Sequence, residues 1–248
     1  MGFWAALGFL TIIPSPVRRS LSLDEVGRAL PFFPLVGLLL GLVLWLFDTV
    51  LSRVLPAMPV NVLLVGVLVV LTGAMHVDGF IDTCDGAATG RTSEQRLAIM
   101  KDSRVGAFGV IGGCLLLLLK FVALSSLPLS VRPFALVLMP AMGRWSMVFA
   151  VYSFPYARGE AGKGYAFKRG AKSNRMLIAT LSALAIALVV VSWKRGPILL
   201  ATVLLTAFLL CTYIRSRLGG LTGDSYGATN EAVEVVTVLA LPIIWRIA

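Results

Sequence analysis

Long apolar stretches separated by short polar segments set the pattern of this chain. Seven of them reach about 17 to 25 residues, the length that crosses the hydrocarbon core of a bilayer. They lie near residues 31–51, 57–75, 105–127, 133–153, 176–193, 197–214 and 231–247. The pattern predicts an all-α, polytopic helical integral membrane protein with about seven transmembrane helices.

The first thirteen residues are apolar but too short to cross a bilayer. No basic residue precedes them, as one would in a secretory signal. Pro14 and Pro16 end the segment, because proline lacks the backbone donor that a continuing helix needs. We expect a retained interfacial or re-entrant segment. Since no long polar linker or internal repeat divides the chain, residues 1–248 form one predicted membrane domain.

Composition and charge agree with a membrane protein. Hydrophobic residues make up 58% of the 248 positions and charged residues 14%, with a net charge of +10. With the N-terminus in the cytoplasm, fifteen of the 22 Lys and Arg residues fall on cytoplasmic segments and five on outer ones, while Lys120 and Arg144 lie within spans. This distribution predicts a multi-pass protein of the cell (inner) membrane, in contact with lipid. It does not form the continuous patch that nucleic acid would require.

The acidic residues are concentrated in two places. Of the twelve, five lie between 78 and 102, and three between 224 and 234. Both groups fall on predicted cytoplasmic loops, near 76–104 and 215–231. Together with a basic loop near 154–175, they could meet on one membrane face. We therefore expect the chemistry of the protein in these three loops.

The segment HVDGFIDTCDGAATGR, residues 76–91, carries Asp78, Asp82 and Asp85. Spacings of four and three place these carboxylates on one face of a helix. Such oxygen ligands suit Mg²⁺, or Mn²⁺, and Mg²⁺ is usually held by a few carboxylates together with substrate phosphates. A solvated helix end with incidental acids is the alternative. His76, the only histidine, would point away from the stripe, so it could act as a base only if the helix unwinds there.

A second group, Lys101, Asp102 and Arg104, follows in the run IMKDSRVGAFG. The two cations could donate to phosphate oxygens, and Asp102 could ligate a metal or take a proton from a hydroxyl. The alternative is a topology signal with a local ion pair.

A third group lies in GGLTGDSYGATNEAVE, which holds Asp224, Asn230, Glu231 and Glu234. A glycine-rich turn and a helix start favour anions, although Asn and Glu there are also ordinary caps. Glu231 and Glu234, three residues apart, could both face the bundle interior.

Further cations could contact a substrate. Arg144 lies inside a span, where charge is costly and often functional. The loop 155–175 contains Arg158, Lys163 and Lys168 among aromatic residues, a composition able to hold phosphates and stack on a base. Topology charge with interfacial aromatics is the competing interpretation.

Taken together, HVDGFIDTCDGAATGR, IMKDSRVGAFG, PYARGEAGKG and GGLTGDSYGATNE resemble cobalamin synthase, the adenosylcobinamide-GDP ribazoletransferase family. The resemblance spans about residues 30 to 240. The aspartate and IMKDSR elements, in this order and with these gaps, are highly specific, whereas the intervening spans match only in character.

The resemblance implies a Mg²⁺-dependent transferase that joins adenosylcobinamide-GDP to α-ribazole or its 5′-phosphate and releases GMP. A ribose hydroxyl would attack the phosphorus next to the aminopropanol arm of the corrinoid. The chain could also form a homo-oligomer or associate with other cobalamin-assembly enzymes, although its sequence does not define an oligomeric state.

Roles for the candidate residues follow as a hypothesis. Asp78, Asp82 and Asp85 would hold the metal, Lys101 and Arg104 would steady phosphates, and Asp102, Asp224 or Glu231 would supply a further ligand or base. The expected substrate-binding residues are Arg144, Arg158, Lys163, Lys168, Asp224 and Asn230.

Two other classes share parts of this pattern. CDP-alcohol phosphotransferases and polyprenyl transferases also place aspartate-rich helix ends at a membrane face, so aspartate spacing alone does not exclude them. A cation transporter would place its carboxylates near the middle of the membrane. The acids here cluster at one predicted face, which favours chemistry on a cytoplasmic substrate.

Overall fold

The computed structural model describes residues 2–16, 23–159 and 163–247, apart from the side chains of residues 23, 24 and 163. Arg18 and Arg19, two of the predicted cytoplasmic cations, lie outside the described residues. The helices, in chain order, are α1 Gly2–Leu10, α2 Leu23–Gly27, α3 Phe33–Leu51, α4 Ala57–Leu71, α5 Met75–Thr89, α6 Ser93–Ile99, α7 Ala107–Ser125, α8 Arg132–Ser153, α9 Lys163–Gly170, α10 Ser173–Val191, α11 Arg195–Leu218 and α12 Gly223–Ile247. A 3-10 turn, Leu30–Phe32, precedes α3.

Six helical stretches in the described residues are long and apolar enough to cross a membrane. They are Glu25–Leu51, which includes α3, and α7, α8, α10, α11 and α12. A seventh candidate is the pair α4 and α5, which meet at 90°. The predicted all-α, multi-pass membrane protein is therefore confirmed.

The structure changes the predicted boundaries at two places. The span predicted for 57–75 ends at Leu71, because Gly73 and Ala74 adopt φ values of +58° and +57° and turn the chain into α5. The loop predicted for 215–231 shrinks to a short turn, since α11 continues to Leu218 and α12 begins at Gly223. The second difference arises because polar residues at the ends of α11 and α12 continue the helices.

Helix α8 is the centre of the bundle, and 89% of its most apolar 18 residues are buried. It packs closely against α3 through two glycines. A Cβ on Gly37 would lie 2.6 Å from the Cα of Ala141, and one on Gly41 would lie 2.7 Å from the Cα of Val137. The backbones can approach this closely only where no side chain intervenes.

The N-terminal segment forms α1, nine residues long, with Ala6 and Leu10 fully buried. The backbone N–H of Ile12 then donates to the carbonyl of Leu71 at 2.8 Å. The end of this segment is thereby attached to the end of α4, beside the bend that leads into α5.

A buried ion pair joins four helices at the end of the bundle away from α5. The guanidinium of Arg132 contacts the carboxylate of Asp48 at 2.7 Å, the side-chain oxygen of Asn61 at 2.7 Å and the carbonyl of Leu124 at 3.0 Å. Arg132 is one of the five cations predicted on outer segments. Its partners were missed because they lie on three other helices.

Candidate active site

Helices α5 and α12 cross through glycines, and this crossing positions the acidic residues. A Cβ on Gly79 would lie 2.8 Å from the carbonyl oxygen of Asp224, and one on Gly227 would lie 3.2 Å from the Cα of His76. The backbone of α12 therefore lies directly against α5 at Gly79 and brings Asp224 close to the acidic residues of α5.

Three carboxylates form an electrostatic group at this crossing. Asp78 is exposed, and Asp82 and Asp224 are partly buried. The negative charges of Asp78, Asp224 and Asp85 all act on Asp82, and the positive charge of Arg158 opposes them. The group therefore draws its acids from two helices more than a hundred residues apart in sequence.

Asp85 has a structural contact of its own. Its carboxylate oxygens accept hydrogen bonds from the backbone N–H groups of Gly106 at 2.7 Å and Gly109 at 2.8 Å, so it caps the start of α7. Across the described ranges, no group of three or more His, Cys, Asp or Glu side chains is placed to hold a metal ion. The three-aspartate ligand set stays a prediction, and the observed contacts of Asp85 are with α7.

The basic loop is held against the start of α12. The backbone N–H of Ala157 donates to the carbonyl of Leu221 at 2.8 Å, and that of Leu221 donates to the carbonyl of Pro155 at 2.8 Å. Arg158 forms an ion pair with Asp224 at 3.0 Å. The structure thus brings the basic loop and both acidic segments together, as expected.

The IMKDSR group forms an exposed turn between α6 and α7. Lys101 is exposed, and Arg104 pairs with Asp102 at 2.7 Å. The hydrogen bonds from Arg104 lower the pKa of Asp102 to about 2. A carboxylate with so low a pKa is a weak general base at neutral pH.

Four charged side chains form a buried cluster inside the bundle. The ammonium of Lys120 lies 2.5 Å from a carboxylate oxygen of Glu231 and 2.5 Å from one of Glu234, and Arg144 contacts Glu234. The amide of Asn230 donates to both glutamates, at 3.2 and 3.1 Å. The two cations and two carboxylates balance, which offsets the cost of burying them. Arg144, Asn230 and Glu231, all predicted site residues, therefore belong to one buried cluster with Lys120 and Glu234.

The remaining predicted cation, Lys168, caps a helix. Its ammonium donates to the carbonyls of Val151 at 3.0 Å and Tyr152 at 2.9 Å, at the end of α8. The side chain of Lys163, also a predicted substrate-binding residue, lies outside the described residues.

Two arginines that the sequence pattern did not indicate hold the end of α5. Arg96 and Arg217 both donate to the carbonyl of Ala87 near the end of this helix.

A cavity of about 250 Å³ opens beside the carboxylates. Asp78, Asp224 and Gly223 border it, and His76 and Tyr226 line it together with apolar residues of several helices. No local sequence pattern predicts this cavity, because its walls come from segments at both ends and in the middle of the chain.

Comparison with known proteins gives consistent results. The family model described as cobalamin-5-phosphate synthase matches residues 2–242. An adenosylcobinamide-GDP ribazoletransferase from Desulfitobacterium hafniense is 40% identical, covering 98% of this chain and 97% of the relative. Proteins of the same name from Syntrophobacter fumaroxidans and Pseudomonas fluorescens are 40% and 38% identical, with 96% to 98% of each chain covered. No solved structure matches the chain.

Proposed function

We propose that this chain, which belongs to the cobalamin-5-phosphate synthase family, joins adenosylcobinamide-GDP to α-ribazole or its 5′-phosphate and releases GMP. Its relatives are named adenosylcobinamide-GDP ribazoletransferase, and the similarity extends over nearly their whole length. The observation that carries the proposal is the group formed by Asp78, Asp82 and Asp224 beside Arg158. A concentration of carboxylates next to cations suits a diphosphate substrate that arrives with a divalent metal.

The donor set fits Mg²⁺ when it is completed by substrate. Mg²⁺ usually takes one or two carboxylates and fills its other positions with water and phosphate oxygens, so it does not need a protein cage of three side chains. Asp78 and Asp82, four residues apart on α5, would hold it. When bound, the metal would neutralise charge on the diphosphate and on the departing GMP.

Asp85 positions this pair. By accepting the amide hydrogens of Gly106 and Gly109, it fixes α5 against the start of α7 and the exposed turn before it. Lys101 and Arg104 lie on that turn, with the side chain of Arg104 88% exposed. They can therefore reach phosphate oxygens of a substrate that binds from the aqueous side.

Asp224 is the best placed of the three candidate bases. Asp102 is bound by Arg104 and has a pKa of about 2, and Glu231 is buried in the charge-balanced cluster. Asp224 borders the cavity, and its charge acts on Asp82. In the proposed reaction Asp224 takes the proton of a ribose hydroxyl, whose oxygen bonds to the phosphorus attached to the aminopropanol arm. The bond from that phosphorus to the GMP oxygen breaks, and GMP leaves with the electron pair.

In this proposal the protein lies in the inner membrane of the cell, and its site faces the cytoplasm. Lys and Arg residues are more frequent in the segments on the side of α5 and the Arg158 loop, which supports this orientation. Both substrates would then bind from the cytoplasmic side.

One assay with purified protein in nanodiscs tests the function. Adenosylcobinamide-GDP, α-ribazole and Mg²⁺ should give equal amounts of GMP and a corrinoid product, identified by mass spectrometry. A CDP-alcohol with a lipid acceptor should give no CMP. CMP release in place of GMP, or ion flux without either product, would refute the proposal.

A further inference from the structure

The cavity beside the carboxylates has an aromatic wall. The rings of Phe9 and Phe167 lie 4.5 Å apart between centroids, and those of Phe33 and Phe167 lie 5.7 Å apart. All three line the cavity, together with Met147. Rings and a thioether together form a surface suited to a flat aromatic ligand.

Two buried polar side chains line the same cavity. His76 is 1% exposed and Tyr226 is 3% exposed. Within the described ranges, neither imidazole nitrogen of His76 nor the hydroxyl of Tyr226 has a hydrogen-bond partner. Buried polar groups in proteins are nearly always paired. A ligand with a hydrogen-bonding ring atom would supply the missing partner.

We infer that this cavity receives the aromatic base of the ribazole acceptor. Phe9, Phe33 and Phe167 pack against its fused rings, and Tyr226 or His76 donates to the ring nitrogen that carries no ribose. The inference rests on the proposed function, because that function names the acceptor.

Size and position both favour the base over the other substrate. At about 250 Å³ the cavity is slightly smaller than the roughly 300 to 1,000 Å³ of pockets that enclose drug-sized ligands, so it suits a bicyclic base and excludes a corrin ring. Asp78 and Asp224 border the cavity. A ribose attached to the seated base therefore emerges beside the proposed metal ligand Asp78 and the proposed base Asp224, where its hydroxyl is needed.

Binding without turnover tests this assignment directly. Radiolabelled α-ribazole is equilibrated with the full-length protein in nanodiscs, without adenosylcobinamide-GDP. A ribazole analogue with a CH group in place of the free ring nitrogen should bind wild type roughly tenfold more weakly, the value of one hydrogen bond. That difference should disappear in Tyr226→Phe or in His76→Phe, whichever side chain is the donor. Tyr213→Phe, an exposed tyrosine on α11, is the matched control and should keep the full difference.

A second variant tests the cavity by volume. Val151 lines it and is 2% exposed, so Val151→Phe should place a ring in the space of the base and weaken α-ribazole binding more than tenfold. The binding of adenosylcobinamide-GDP, measured in the same samples, should not change and also shows that the variant is folded.

The outcomes separate this inference from the proposed function. Suppose that wild type releases GMP, but that Tyr226→Phe and His76→Phe both keep the full tenfold difference in binding between α-ribazole and the analogue. The base then binds elsewhere, and the proposed function stands. If α-ribazole binding depends on these side chains but wild type releases no GMP, the cavity assignment holds and the proposed reaction fails.

Discussion

Arg158 and Asp224 form an ion pair at 3.0 Å that connects the basic loop after α8 to the first turn of α12. The pair stands at the edge of the carboxylate group, since Asp224 also interacts with Asp82. Arg158 therefore has two roles in the proposed reaction: it limits the repulsion among the acids and it orients the carboxylate of Asp224.

Asp224→Asn should lower kcat about 10²- to 10⁴-fold, the usual contribution of a general base. Arg158→Ala should lower it less, because the carboxylate remains. The double variant should be no slower than Asp224→Asn alone, since Arg158 acts through Asp224. GMP release measures all three, and Arg169→Ala, an exposed cation on α9, is the control. Additive losses would show that Arg158 contacts the substrate independently.

Asp82→Asn should abolish turnover without unfolding the protein, because it removes a charged metal ligand while conserving shape. Glu94→Gln, at an exposed position on α6, removes a carboxylate outside the group and should leave turnover unchanged. GMP release and thermal unfolding are measured on the same preparations. Near-normal GMP release from well-folded Asp82→Asn would remove Asp82 from the metal site.

Metal removal should stop the reaction reversibly. Dialysis against EDTA should eliminate GMP release, and Mg²⁺ or Mn²⁺ should restore it, because both accept octahedral oxygen ligands. The Mg²⁺ concentration that gives half-maximal activity should fall as the adenosylcobinamide-GDP concentration rises, because substrate phosphates complete the coordination of the metal. Undiminished activity in EDTA would exclude a divalent-metal mechanism.

Asp85→Asn tests whether Asp85 is a cap or a ligand. The amide retains one acceptor oxygen for the two N–H groups of Gly106 and Gly109. A cap role predicts a loss of about 1.5 to 3 kcal/mol in the free energy of unfolding, the range of charge-assisted hydrogen bonds. The Mg²⁺ concentration for half-maximal activity should stay the same. A large rise in that concentration at unchanged stability would instead make Asp85 a ligand.

The buried cluster should depend on its charge balance. Lys120→Met leaves Glu231 and Glu234 with only Arg144 and should destabilise the protein by about 3 to 5 kcal/mol. Adding Glu231→Gln restores neutrality, so the double variant should be more stable than Lys120→Met. Thermal unfolding in one detergent gives the comparison. A double variant less stable than the single one would show that hydrogen bonds, and not net charge, hold the cluster.

The sequence alone determined the membrane architecture and the identity of the chemistry-bearing segments. Apolar stretches of spanning length leave helices as the structure that satisfies their backbone groups in lipid. Spacings of four and three fixed Asp78, Asp82 and Asp85 on one face of α5, because helical periodicity is local.

Only the tertiary structure decided what each side chain meets. The amides of α7 bind Asp85, the glycine crossing of α5 and α12 brings Asp224 to Asp82, and Lys120 binds Glu231 within the bundle. The cavity beside Asp78 likewise needs Phe9, from the first helix, next to Phe167. These contacts join residues about 20 to more than 150 positions apart, and packing between helices sets them, which no local pattern encodes.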